Sequence, residues 1–83
     1  MTDHNSTILL YGTSWCPQCS WVRKYLDRQN VKYRWFDITE DDSARMFVKS
    51  VNHGNESVPT IIWPDGSMLV EPSLPVLRSK LGL

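Results

Sequence analysis

The pair Cys16 and Cys19 constrains this 83-residue chain more than any other feature. They are its only cysteines, they lie three positions apart, and they stand directly after a short apolar run and at the start of a helical pattern. In an α-helix, residues i and i+3 share a face and their Cα atoms lie roughly 5 Å apart, within the range that a disulfide bridges. The two thiols can therefore join and separate while the fold stays unchanged.

The sequence around the pair predicts a strand, a helix and a second strand. Residues 8–12 form a nearly continuous apolar run, as in a strand that is buried on both faces. Pro17 suits the first helical position, because its missing N–H would have no partner there, and apolar residues then recur at helical spacing as far as a stop at Asn30. Residues 31–38 are rich in β-branched and aromatic side chains and predict the second strand.

A second helix is predicted to begin near Thr39, which resembles the first residue of a capping box closed by Asp42. Gly54 follows as the signal for the end of this helix. The apolar stripe between them has the spacing of one helix face and consists of Ala44, Phe47, Val48 and Val51.

The last part of the chain predicts a hairpin and a final helix. Residues 60–63 predict a third strand, residues 64–66 a tight turn and residues 67–71 the returning strand, and the helix opens at Pro72 and Ser73. A β-α-β unit makes its two strands parallel, whereas the late hairpin is antiparallel. The order βαβαββα therefore predicts an α/β protein with a four-stranded mixed sheet flanked by three helices. This arrangement resembles the thioredoxin-like fold in its glutaredoxin-type form.

Composition limits the function classes. A chain of 83 residues makes one small domain, which we expect to span residues 1–83 with residues 1–6 as a flexible tail. Nine acidic and nine basic side chains cancel, which gives no electrostatic reason to expect a nucleic acid or an anionic membrane as a partner. No stretch approaches the ~20 apolar residues of a transmembrane helix, and the first residues lack the apolar run of a secretory signal. We expect a monomer in a reducing cytoplasm, where a cysteine pair is more often catalytic than structural.

The predicted position of the pair gives its two thiols unequal roles. Cys16 would lie at the N-cap of the helix, where unpaired backbone N–H groups and the helix dipole stabilise a thiolate. Cys19 would lie inside the first turn, where it is more covered and keeps its proton longer. We therefore predict a catalytic, redox-active pair in which Cys16 attacks a disulfide and Cys19 resolves the mixed disulfide that results.

A metal site is the main alternative reading of two cysteines. A structural zinc site needs four ligands, and only His4 and His53 could join the pair, at a spacing that matches no zinc finger. We predict no bound metal ion on this ground. A non-catalytic module that shares an iron–sulfur cluster between two monomers stays open, because exposed thiolates can serve as cluster ligands.

The loop that ends in Val58, Pro59 and Thr60 is the second informative element. In a thioredoxin-like layout this loop faces the helix that begins at the cysteine pair, and the backbone of Val58 would pair with an extended substrate. An exposed Trp15, just before the nucleophile, would shape the same groove. We predict substrate contacts from Trp15, Pro17, Gln18, Val58, Pro59 and Thr60.

Three segments of the sequence resemble the mycoredoxins, glutaredoxin-like proteins of actinobacteria that work with mycothiol instead of glutathione. They are residues 13–19 (TSWCPQC), 50–60 (SVNHGNESVPT) and 65–67 (DGS). The resemblance implies an oxidoreductase that reduces protein–mycothiol mixed disulfides, with mycothiol as a thiol co-substrate, no bound cofactor, and a flavin reductase that recycles oxidised mycothiol. It also implies that Cys16 is the nucleophile, Cys19 the partner cysteine and Pro59 a cis-proline.

Two departures from glutathione-type glutaredoxins agree with this resemblance. Thr13 stands where those proteins usually carry a lysine, and residues 70–73 (VEPS) replace a Gly-Gly-x-Asp-like segment; both of the usual groups hold carboxylates of glutathione. Glu71 would repel a carboxylate, whereas mycothiol is an uncharged sugar conjugate. Gln18 indicates a different family, because a Cys-x-Gln-Cys motif resembles that of the NrdH-redoxins. These are dithiol electron donors to ribonucleotide reductase that are reduced by thioredoxin reductase. Their usual Trp-Ser-Gly-Phe-Arg-Pro segment is absent.

Overall fold

A four-stranded mixed sheet forms the centre of the protein, whose computed structural model describes residues 7–83. Its strands are β1 (Ile8–Gly12), β2 (Tyr33–Asp37), β3 (Thr60–Ile62) and β4 (Met68–Val70), in the spatial order β2-β1-β3-β4. β1 pairs with β2 in parallel and with β3 antiparallel, and β3 and β4 form the predicted antiparallel hairpin. The predicted sheet is confirmed, whereas the tail predicted at residues 1–6 lies outside the described residues.

Within residues 7–83, three helices cover the two faces of the sheet. They are α1 (Pro17–Arg28), α2 (Asp42–Val51) and α3 (Leu74–Leu81). Successive side chains of β1 alternate between the faces: Leu10 packs with residues of α1 and α3, whereas Tyr11 packs with residues of α2. The helices therefore divide two to one, and α1 shares its layer with α3.

The start of α2 differs from the sequence prediction. The N-cap is Asp41, whose Oδ1 accepts the N–H of Ala44 at 3.0 Å. Thr39 instead donates its N–H and its hydroxyl to Oδ1 of Asp37, at 2.9 and 2.6 Å. Both threonine and aspartate can cap a helix, and here the threonine is engaged by the turn that leaves β2. The predicted end is confirmed, because Gly54, with φ +91°, donates its N–H to the carbonyl of Lys49.

A buried asparagine joins the end of α2 to the start of β3. Asn52 is 8% exposed, and its Nδ2 donates to the carbonyl oxygen of Val48 at 2.8 Å and to Oγ1 of Thr60 at 3.2 Å. The Thr60 hydroxyl in turn donates to the carbonyl oxygen of Ser57 at 2.7 Å. This network fixes the loop that leads into Pro59.

Removing the Asn52 amide is expected to destabilise the fold. Asn52→Ala leaves the Val48 carbonyl and the Thr60 hydroxyl without this donor in a buried site, which costs about 1–3 kcal/mol. Urea unfolding of the two proteins measures the difference. Asn55→Ala, in the exposed part of the same loop, is the matched control and should change the free energy of unfolding by less than about 0.5 kcal/mol. Equal losses in both variants would contradict the assignment.

Candidate active site

The Cys16 sulfur lies at the N-terminus of α1. Cys16 is the N-cap residue, with extended backbone angles of φ −79° and ψ 114°, and Pro17 occupies the first helical position. The Cys16 Sγ accepts the backbone N–H of Cys19 at 3.1 Å. A sulfur that accepts a helix N–H at the positive end of the helix dipole is well placed to carry negative charge. Cys16 is partly exposed, so an approaching disulfide can reach it.

Cys19 lies one turn further along, and no part of it is exposed. Burial raises the pKa of the Cys19 thiol well above its ordinary range, and a hydrogen bond with Cys16 raises it further. Both cysteines are free thiols. The pair therefore combines an accessible sulfur at a helix N-terminus with a covered thiol that keeps its proton.

The loop before β3 meets the same end of the sheet. Tyr11 pairs with Thr60 across β1 and β3, and this register sets Pro59 beside Gly12, close to the start of α1. The Val58–Pro59 peptide bond is cis. Within residues 7–83, the backbone N–H and carbonyl of Val58 have no backbone partner, so they can pair with an extended segment.

Four of the six predicted substrate residues differ in how much surface they expose. Trp15 is 70% exposed and Pro17 is exposed, and both adjoin Cys16 in the chain, whereas Val58 is half-buried and packs against the α2 side of the core. Pro59 is fully buried, and its carbonyl accepts the N–H of Glu71 at 2.9 Å. Pro59 therefore offers no exposed surface to a substrate, and it can contribute to a groove only through the course of the backbone.

Two of the predicted substrate contacts are not supported by the geometry. Thr60 is fully buried and its hydroxyl is engaged by Ser57 and Asn52, so it supports the loop from inside. The Gln18 side chain donates to the carbonyl of Pro72 at 2.9 Å and thereby ties the first turn of α1 to the segment before α3. Spacing within a motif cannot reveal the partner of Gln18, because that partner lies 54 positions further along the chain.

Two residues of the site were missed by the sequence analysis. Gly12 and Trp35 both lie against Cys19: a Cβ at Gly12 would meet the Cys19 sulfur and the Trp35 ring. A glycine that ends an apolar strand is a known signal for close backbone approach and could have indicated this contact.

Two further observations concern metals and membranes. Across residues 7–83, no three His, Cys, Asp or Glu side chains come together in a way that could hold a metal ion. Among the helices of the same residues, none is long and apolar enough to cross a membrane.

A four-stranded mixed sheet with a pair of cysteines at the first turn of the helix that follows the inner strand β1 defines the class of thioredoxin-like proteins. Within that class the chain belongs to the glutaredoxin family of thiol–disulfide oxidoreductases, whose sequence model matches residues 8–67.

Relatives and solved structures agree with this assignment. The chain is 42% identical over 76 residues to Mycoredoxin 1 of Corynebacterium glutamicum, covering 92% of this chain and 94% of the relative, so the mycoredoxin resemblance is confirmed. A crystal structure of a mutant thioredoxin-like protein matches with a TM-score of 0.79 and 29% identity over 90% of this chain and 99% of that one. The glutaredoxin of Archaeoglobus fulgidus, with a TM-score of 0.74 and 22% identity over 92% of this chain and 86% of that one, shares the fold.

Proposed function

We propose that this protein reduces mixed disulfides between proteins and mycothiol. The Cys16 thiolate attacks the mycothiol sulfur, and the protein sulfur leaves as a thiolate that takes up a proton. A second mycothiol thiolate then attacks the mycothiol bound to Cys16, which yields mycothiol disulfide and restores the Cys16 thiolate. Overall, one free mycothiol thiol is consumed and one protein thiol is released, and the disulfide bond is passed on to the mycothiol disulfide. The relation to Mycoredoxin 1, at 42% identity, supports the choice of thiol.

The start of α3 is the observation that carries the choice of mycothiol over glutathione. A helix N-terminus ordinarily attracts a carboxylate through its free N–H groups. Here Pro75 supplies no N–H and the N–H of Val76 is bound by the Ser73 hydroxyl at 3.4 Å, so fewer free N–H groups remain than at an ordinary helix start. The exposed Glu71 adds a negative charge just before this helix, and its N–H bond to Pro59 holds it at the substrate loop. This corner disfavours the carboxylates of glutathione and is compatible with the uncharged mycothiol.

The state of Cys19 supports the route through a second mycothiol. A buried thiol with a raised pKa is a slow nucleophile near neutral pH, because only its thiolate attacks a disulfide. The Cys16–mycothiol intermediate therefore persists long enough for an external thiol to reach it.

The cellular setting follows from this chemistry. We infer a monomer that works in the reducing cytoplasm on mycothiolated proteins. A flavin disulfide reductase would return the mycothiol disulfide to mycothiol, so this reductase is an indirect partner. Neither a nucleic acid nor a membrane takes part in the proposed reaction.

The test compares two substrates that differ only in the attached thiol. One carrier protein is mixed-disulfide-linked to mycothiol or to glutathione, and the release of its thiol is followed with the matching free thiol as reductant. We expect the mycothiol form to be reduced at least about tenfold faster, a difference of about 1.4 kcal/mol in transition-state stabilisation. Equal rates would rule out the proposed preference.

A charge reversal at Glu71 sharpens the same comparison. Glu71→Lys should raise the rate with the glutathione form roughly threefold to tenfold and leave the mycothiol form nearly unchanged, because it replaces a repulsive charge by an attractive one. The matched control is Glu40→Lys, an exposed charge reversal beyond β2, at the opposite edge of the sheet from β4. The control should change neither rate.

A further inference from the structure

The Cys19 thiol packs against Gly12. A Cβ atom at Gly12 would lie 2.6 Å from the Cys19 Sγ and 2.9 Å from Cη2 of Trp35, closer than real Cβ atoms come to their neighbours. The space over Gly12 is therefore already filled by the sulfur and the indole. The sulfur and this edge of the indole lie at most about 5.5 Å apart, a distance at which sulfur and aromatic rings attract.

A cation lies over the Trp35 ring. The guanidinium carbon of Arg23 lies 4.1 Å from the centroid of the Trp35 ring, and Arg23 follows Cys19 by one turn of α1. Asp37, at the end of β2, has a lowered pKa, mainly because it accepts hydrogen bonds from Thr39 and in part because of the Arg23 charge. Arg23 thus lies over the face of the indole, while Cη2 and Cζ3 of the same indole reach the glycine beside the thiol.

We propose that Gly12 and Trp35 are positioning residues that keep the Cys19 thiol out of water and thereby keep turnover on the route through an external thiol. The absence of a side chain at Gly12 leaves the space that the Cys19 sulfur occupies, and the Trp35 indole, which projects from the neighbouring strand β2, lies against the same space. Trp35 lies on β2, an edge strand, and is itself only half-buried. Without its outer ring, water would gain access to the sulfur from that edge, and a hydrated thiol ionises more readily than a buried one.

The expected effect on turnover rests on the proposed thiol chemistry, but the burial of the Cys19 thiol can be tested without mycothiol. In a Cys16→Ser background, Cys19 is the only thiol, and its alkylation by iodoacetamide is followed against pH. Trp35→Phe removes Cη2 and Cζ3, the two ring atoms nearest Gly12, and keeps an aromatic ring. We expect alkylation at neutral pH to become about tenfold faster, with the midpoint of the pH profile lower by about one unit.

The matched control keeps the charged surroundings constant. Tyr33→Leu lies on the same strand and packs on the same core cluster, but Tyr33 is not among the atoms nearest the Gly12 Cβ position. Cys16, whose charge would act on the Cys19 thiol, is replaced by serine in every variant, Arg23 on α1 and Asp37 on β2 are unchanged, and Tyr11 on β1 faces the other layer. The control should alkylate within about twofold of the background, since no change of thiol burial is expected.

A second variant decides the matter if Trp35→Phe does not fold. Gly12→Ala places a Cβ at 2.6 Å from the sulfur and 2.9 Å from the Trp35 ring, so the packing of the two around this position must change, and we expect alkylation again to become faster. Circular dichroism identifies the variants that are folded. If folded Trp35→Phe or Gly12→Ala alkylates no faster than Tyr33→Leu, the proposal is overturned. That result would leave the proposed mycothiol reaction untouched, and failure with mycothiol would leave this result standing.

Discussion

Cys16→Ser is expected to lower the reduction of a mycothiol mixed disulfide by at least about a thousandfold, because a serine hydroxyl has no accessible anion near neutral pH. Cys19→Ser should stay within about threefold of the parent protein, since the second mycothiol replaces its attack. The contrast follows from the structure: the accessible sulfur accepts a helix N–H at 3.1 Å, and the other sulfur is fully buried. Steady-state reduction of the mixed disulfide measures both variants.

The same two variants separate the alternative functions. A dithiol electron donor reduced by thioredoxin reductase would lose turnover in Cys16→Ser and in Cys19→Ser alike. A cluster-binding module would show visible absorption and bound iron after anaerobic purification, and no turnover. Colourless, metal-free protein that reduces the mixed disulfide would exclude the module.

The attack of Cys19 on a Cys16 mixed disulfide should rise about tenfold with each pH unit from neutral pH upward. Only the Cys19 thiolate attacks, and burial, the largest cause of its raised pKa, is independent of the charge on Cys16. Below a raised pKa the thiolate fraction grows with pH, so the rate is low in acid and high in alkali. It should keep rising beyond pH ~8.5, where an ordinary thiol begins to level off.

A chromogenic adduct measures this step directly. Thionitrobenzoate is attached to Cys16, and its release by Cys19 forms the Cys16–Cys19 disulfide in a single turnover. The Cys19→Ser protein should hold the adduct at every pH, which shows that release requires the buried thiol. A plateau near the ordinary thiol range would show that Cys19 behaves as an exposed cysteine and would remove the physical basis for the external-thiol route.

The sheet and the helices were predictable because each depends on local periodicity. The apolar run in β1, the stripe of α2 and the turn before β4 all act within a few residues, and their order determines the topology. The position of Cys16 at an N-cap followed in the same way from the strand, the proline and the helical pattern. These are the parts of the site that a sequence specifies locally.

The contacts that the sequence did not reveal join different elements of the fold. Thr60 was predicted to contact substrate, but in the structure its hydroxyl is buried and accepts a hydrogen bond from Asn52. Gly12 and Trp35 meet only because β1 and β2 pair in one register, in which Leu10 lies opposite Trp35 and Gly12 opposite Asp37. Such contacts become visible when the sheet is assembled, since a shift by one residue would turn Trp35 to the other face.

The hydrogen bond from Gln18 to Pro72 has a consequence for the order of events during synthesis. It joins the first turn after the nucleophile to a carbonyl that is added 54 residues later. A nascent chain that has emerged only as far as β3 would hold both thiols but would lack the strand β4 and the helix α3 that complete their surroundings. The surroundings of the two thiols are therefore complete only when the last described helix has folded. The thiols reach their final arrangement at that stage, and not when the motif itself has been synthesised.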